Sequence, residues 1–196
     1  MLGKDALVIV DVQNDFCPGG ALAVRDGEQV VPVLNRHIER FTKAGLPVIA
    51  TRDWHPEKTR HFKTSGGIWP PHCVQGTEGA EFHPGLRLGT DDVVLSKGMG
   101  ADEDSYSGFD AVDERGTPLA DLLRQMKVER IFVGGIATDY CVKQTVLDGL
   151  KEGLKVMVLK DAIRGVNLQP ADSERAIEEM ARAGALIASD ADPAIP

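Results

Sequence analysis

The stretch IFVGGIATDYCVKQTVLDGLKEGLKVMVL, residues 131–159, holds a strand, a turn, a helix and a second strand in succession. Ile131–Val133 is a short apolar run without alternation, and a glycine-containing turn follows it. Val142, Val146 and Leu150 then fall on one face of a helix. Gly153 stands just past that helix, where a left-handed residue is favoured, and the run Lys155–Leu159 is again apolar. Runs that are continuous rather than alternating are expected of strands buried on both faces. Two such strands joined through a helix make a parallel crossover.

The same unit recurs on either side. Val31, Leu34, Ile38 and Phe41 share a helical face, followed by Gly45 and the run Leu46–Thr51. Ala176, Ile177, Met180 and Ala181 precede Gly184 and the run Ala185–Ala188. Ala6–Val10 and Val93–Ser96 bring the apolar runs to six. Thr117-Pro118 and Gln169-Pro170 put proline where a first helical turn tolerates it. The pattern predicts an α/β fold, a three-layer α-β-α arrangement around a six-stranded, mainly parallel sheet. No linker interrupts it, so one domain is expected over residues 1–196.

A net charge of -8, with no cluster of Lys or Arg to offset it, argues against nucleic acid or an anionic membrane as partner. No run approaches the roughly 20 apolar residues of a membrane span, and the N-terminal apolar run is too short for a signal peptide. The three cysteines, Cys17, Cys73 and Cys141, are far apart and odd in number, which suits a reducing cytoplasm better than a disulfide framework. Assembly into a homo-oligomer is compatible with all of this.

Two stretches break the rhythm, 52–91 and 98–116, both rich in glycine and polar residues. Long irregular segments inside a compact domain are usually functional. Ligands of open parallel sheets bind beyond the carboxyl ends of the strands. Asp11, Asp53 and Lys97 end the first three runs, and the fourth leads through Gly134-Gly135-Ile136-Ala137-Thr138-Asp139-Tyr140 to Cys141. Cys141 alone would read as an ordinary buried residue. Converged on one edge, Asp11, Lys97 and Cys141 become a nucleophile with its base and a cation. The positive end of the following helix and Lys97 should lower the thiol pKa, and backbone N–H groups of the turn would form an oxyanion hole.

Asp53-Trp54-His55, His61 and Trp69-Pro70-Pro71-His72 place three of the five histidines in one loop. Asp53 and His55, two apart at a strand end, point to one side and can share a metal. Imidazole and carboxylate suit zinc, iron or manganese. His37 and His83 read as structural. In a chain with 5% aromatic residues, Phe16 and Trp69 stand beside these candidates and Tyr106 falls in the second irregular stretch. Such side chains could stack on a flat ring.

Taken together, the segments Asp11–Phe16, Asp53–His55, Trp69–Cys73, Ser96–Gly98, Ser105–Phe109 and Gly135–Val142 resemble the nicotinamidases (pyrazinamidases) of the isochorismatase-like cysteine hydrolase superfamily. The resemblance runs in order from Asp11 to about Asp161. The triad positions alone point to the superfamily, and the histidine cluster narrows the match. It implies a catalytic triad of Asp11, Lys97 and Cys141, and one divalent transition-metal ion on Asp53, His55, His61 and His72. It implies that Phe16 and Trp69 hold a pyridine ring, with Tyr106 nearby. It also implies a cis peptide at Ile136-Ala137, which would aim the Ala137 N–H at the oxyanion together with that of Cys141. The substrate would be nicotinamide, with pyrazinamide also accepted. Tyr140, where some relatives carry histidine, is expected at the pocket rim. The competing readings are another small-amide hydrolase of the superfamily, a metal-activated water with Cys141 incidental, and a metal-stabilised binding module.

Overall fold

The computed structural model describes residues 4–192 and 195–196. Among them six strands form one sheet: β1 (Lys4–Val10), β2 (Val48–Asp53), β3 (Val93–Lys97), β4 (Val128–Ile136), β5 (Lys155–Arg164) and β6 (Leu186–Ala188). Their order is β3-β2-β1-β4-β5-β6, and every pairing is parallel. Four helices accompany them: α1 (Val30–Lys43), α2 (Leu119–Gln125), α3 (Lys143–Lys151) and α4 (Asp172–Arg182). The three-layer parallel α/β architecture expected from the apolar runs is the one observed.

Alternation along β1 assigns each helix to a layer. Leu7 and Ile9 pack with Leu34, Ile38 and Phe41 of α1 on one face. Val8 and Val10 pack with Leu119 and Leu123 of α2, Val146 of α3 and Met180 of α4 on the other. The chain runs outward from β1 through β2 to β3, then returns to place β4 on the other side of β1. Right-handed crossovers in the two directions put helices on opposite faces, which is why α1 is separated from α2, α3 and α4. The reversal leaves a crevice beyond the carboxyl ends of β1 and β4, where open α/β sheets bind ligands. Gly135 lets those two strand ends touch there. At its φ of +129°, an added Cβ would stand 2.0 Å from the Val10 carbonyl oxygen.

At the opposite edge, α1, α3 and α4 end in Gly45, Gly153 and Gly184, all at positive φ, before β2, β5 and β6 begin. Several bounds differ from the sequence expectation. Pro118 precedes α2 with ψ 152°, and Ala171 at φ 68° separates Pro170 from α4. β5 continues past the apolar run to Arg164, because a register shift between Val133 and Gly135 of β4 lets Ile163 pair beyond exposed Lys160 and Asp161. No helix among the described residues is long and apolar enough to cross a membrane.

Candidate active site

Asp11 follows β1 in a left-handed backbone, φ 51°, tied down by its N–H to the Thr51 carbonyl at 3.1 Å. Its Oδ1 accepts from the Thr51 hydroxyl at 2.7 Å, and its Oδ2 lies 2.9 Å from Lys97 Nζ. Lys97, the last residue of β3, has no exposed side-chain surface and also pairs with Asp53 at the end of β2. Its Nζ stands 3.7 Å from Cys141 Sγ. The three strand ends and the turn after β4 therefore meet, as their positions in sequence predict.

Cys141 lies in a π-helical turn, Thr138–Val142, immediately before α3, and the peptide Ile136-Ala137 entering it is cis. The thiol departs from expectation. Burial pushes its pKa well above the ordinary thiol value; Lys97 opposes this, while Asp11 and Asp53 add to it. Desolvation of a thiol only 7% exposed outweighs one ammonium shared with two carboxylates. Burial likewise raises Asp11, against Lys97 and with Asp53. Lys97 keeps its proton firmly, because Asp11, Asp53 and Cys141 outweigh the burial that would remove it. Asp53 stays ionised despite burial, held down chiefly by Lys97.

Beside this group, His55, His61 and His72 are all buried, each with a ring nitrogen within 4.8 Å of the others'. His55 Nδ1 donates to the Gly98 carbonyl at 3.0 Å and His72 Nδ1 to the Pro70 carbonyl at 2.8 Å. His61 Nδ1 bonds the Asp104 carboxylate. Acceptor-only partners fix the proton on Nδ1 in every ring and leave each Nε2 with its lone pair. The His55 Nε2 is buried with no hydrogen-bond partner among the described residues. Asp53 Oδ2 faces it at 3.7 Å and faces His72 Nε2 at 3.9 Å. Burial lowers His72 to about 4, so its lone pair stays free near neutrality. An orphaned buried nitrogen, two convergent imidazoles and a carboxylate fit a divalent transition metal. Gly98 makes room for the arrangement: a Cβ there would meet His55 Cε1 at 2.4 Å.

A cavity joins the two groups, lined by Phe16, Leu22, Asp53, His61, Trp69, His72, Tyr106, Ala137, Tyr140, Cys141 and Val166. Trp69 Nε1 donates to the Tyr106 hydroxyl at 3.0 Å, and Tyr140 meets Trp69 edge-on at 5.0 Å between centroids. Phe16, Trp69 and Tyr106 thus share one wall system with Cys141, and Tyr140 joins them. His37 is buried on α1 and His83 accepts from the Gly85 N–H, both outside this set.

Sequence reading misses the supports. Gln13, fully buried, donates to the Asp53 carbonyl at 2.7 Å and accepts from the Asp53 N–H at 2.8 Å, pinning that residue to the loop after β1. Thr51, Asp104, Leu22 and Val166 are likewise unannounced. The only available signal is that Gln13 and Thr51 adjoin strand ends already marked by Asp11 and Asp53.

Residues 5–192 match the isochorismatase domain family. A nicotinamidase of Escherichia coli (strain K12) is 45% identical over 95% of this chain and 95% of its own length. The pyrazinamidase of Pyrococcus horikoshii, solved in complex with zinc, is 46% identical with a TM-score of 0.88, covering 95% of this chain and 99% of that one. PnC1 from L. infantum, solved in complex with nicotinate, is 38% identical with a TM-score of 0.84, covering 95% and 93%.

Proposed function

Because the chain belongs to the isochorismatase family, we propose that it hydrolyses nicotinamide to nicotinate and ammonia and accepts pyrazinamide by the same fit. The observation that carries this reading is one aromatic-walled cavity that reaches Cys141 together with the buried His61 and His72. A relative named for nicotinamide and a structural neighbour holding nicotinate support a pyridine carboxamide as the occupant. The enzyme is a cysteine amidohydrolase with Asp11, Lys97 and Cys141 as its triad.

Asp11 takes the Sγ proton as Sγ attacks the carboxamide carbon, forming a C–S bond and moving the carbonyl π pair to oxygen. A thiol that holds its proton until attack needs a strong base, and burial makes the Asp11 carboxylate one. Lys97 Nζ, 3.7 Å from Sγ, balances the negative charge passing between sulfur and carboxylate. The Ala137 and Cys141 N–H groups hold the oxyanion. The C–N bond then breaks, and the nitrogen leaves as ammonia with the proton Asp11 returns. Water attacks the thioester and gives its proton to Asp11. The C–S bond breaks, Cys141 recovers the proton, and the acid departs as nicotinate, its own proton passing to solvent. Phe16 and Trp69 flank the ring, with Tyr106 fixing the indole through its hydrogen bond.

Asp53, His55, His61 and His72 would hold a divalent transition metal, and zinc is supported by the zinc-bound neighbour, with iron and manganese fitting the same donors. Such an ion supplies a Lewis-acidic anchor for a polar ring atom of the substrate.

Ammonia release from nicotinamide, pyrazinamide and benzamide tests the reading. Nicotinamide should exceed benzamide in kcat/KM by a factor on the order of 100, because an all-carbon ring leaves a buried polar partner unmatched. Equal values would remove the ring-nitrogen part of the proposal. No turnover of any of the three would remove the function.

A further inference from the structure

We infer that Asp139 is a positioning residue that sets the width of the substrate pocket, by holding the corner 165–167 against the turn that carries Cys141. The inference rests on the amidase reading above. Asp139 stands two residues before Cys141, is 8% exposed and does not line the cavity. Its Oδ1 accepts the Val166 N–H at 2.9 Å and its Oδ2 accepts the Asn167 N–H at 2.8 Å. Val166 lines the cavity together with Ala137 and Cys141.

The topology explains why the wall needs such a clamp. The β4–β5 ladder ends at the rung Ile136–Arg164. Beyond that rung one chain continues to Cys141 and the other to Val166, and both residues line the pocket. The Asp139 carboxylate reaches from one branch to the other. Two consecutive amides, those of Val166 and Asn167, point at this one carboxylate. The corner is also fixed from behind, where Asn167 Oδ1 accepts the Ser173 N–H at 2.9 Å. No slack remains: a Cβ on Gly165 would meet Ser173 Oγ at 2.0 Å and Asp139 Oδ1 at 2.9 Å. Hydrogen bonds to an ionised acceptor are about twice as strong as neutral ones, so the clamp resists the push of a bound ring.

Steady-state kinetics on nicotinamide test this with Asp139→Asn, Asp139→Glu, Val166→Ala and the double variant Asp139→Asn/Val166→Ala. Asn keeps one acceptor and turns an N–H toward the other amide. Glu keeps the charge and both acceptors, so the fold survives, but it carries the corner outward by a methylene. Each Asp139 variant should raise KM roughly tenfold, the scale at which a pocket resolves a small misfit, with kcat within about twofold. Val166→Ala should raise KM similarly, and the double variant should add little, since both act through one wall. KM does not depend on how much enzyme is folded, so a purely structural role would lower yield or Vmax and leave KM alone. Unchanged KM in Asp139→Glu, or fully additive effects in the double variant, would overturn the inference while leaving the amidase reading intact. Wild-type enzyme that releases no ammonia would overturn both.

Discussion

Lys97 carries its ammonium where no water reaches it, and two buried carboxylates, Asp11 and Asp53, make that tolerable. Removing one member of a buried charge cluster leaves the rest uncompensated, which is costly to stability as well as to chemistry. Cys141 is the safer residue on which to test the mechanism, since alanine adds no charge. Cys141→Ala should lower turnover by about 10³-fold or more while the fold persists. Cys17→Ala should retain most of the activity; that thiol is held at about 11 by burial and the nearby Glu28, and it lines no part of the catalytic cavity. Ammonia release from the two purified variants decides it, and a Cys141→Ala enzyme of near wild-type rate would make the thiol incidental. The convergence of Asp11, Lys97 and Cys141 was legible in sequence because two strand ends and the turn after β4 mark them. Gln13, Thr51 and Asp139 were not, because each acts by a hydrogen bond to a partner 27 to 40 residues away that no local pattern announces. The raised thiol pKa was also hidden, since desolvation depends on what encloses the sulfur.

At the scale of elements, the two irregular stretches supply His61, Trp69, His72 and Tyr106 to the pocket and the strands supply its registration. His55, His61 and His72 come from the connection between β2 and β3, and Asp104 and Tyr106 from the connection between β3 and α2. The two loops are joined where His61 meets Asp104, where Trp69 meets Tyr106, and where the Thr59 hydroxyl donates to the Ala101 carbonyl at 3.1 Å. Metal content should follow that division of labour. His72→Ala should leave the purified protein with little bound metal, whereas Asp104→Asn should weaken binding by about 10- to 100-fold and still load at high metal concentration. Elemental analysis after dialysis against graded chelator separates the two. Full metal retention by His72→Ala would remove that histidine from the site. The strands were legible from their apolar runs. The loop-to-loop contacts were not, because aperiodic segments give no register from which to place one side chain against another.

Over the whole molecule, one buried titratable group lies far from the chemistry. His37 on α1 is fully buried and faces Asp190, just past β6, at 3.5 Å; Arg36, Arg40 and Asp161 also act on it. Burial lowers its pKa against the pull of Asp190, while the two arginines lower it further. The unfolded chain therefore binds this proton first as the pH falls. The stabilisation is complete above the ordinary histidine value of 6.5 and is lost as pH drops toward the folded value, by at most about 1.4 kcal/mol per pH unit. His37→Leu should lose less stability than wild type between pH 7 and pH 5, read from urea midpoints at each pH; parallel losses would show that His37 titrates alike in both states. The layer order was legible from the recurring helix-glycine-strand unit, whereas this contact between the first helix and the residue after the last strand joins positions no repeat connects. Asp11, Lys97 and Cys141 lie at or past the carboxyl ends of strands, so the helix-to-strand turns at Gly45, Gly153 and Gly184 sit at the far rim. Ala44, Glu152 and Ala183 in those turns are exposed. A cysteine introduced at Ala44 and bonded to a resin bead would thus leave the mouth of the pocket facing the liquid, and a packed column could keep working with its catalyst permanently tethered.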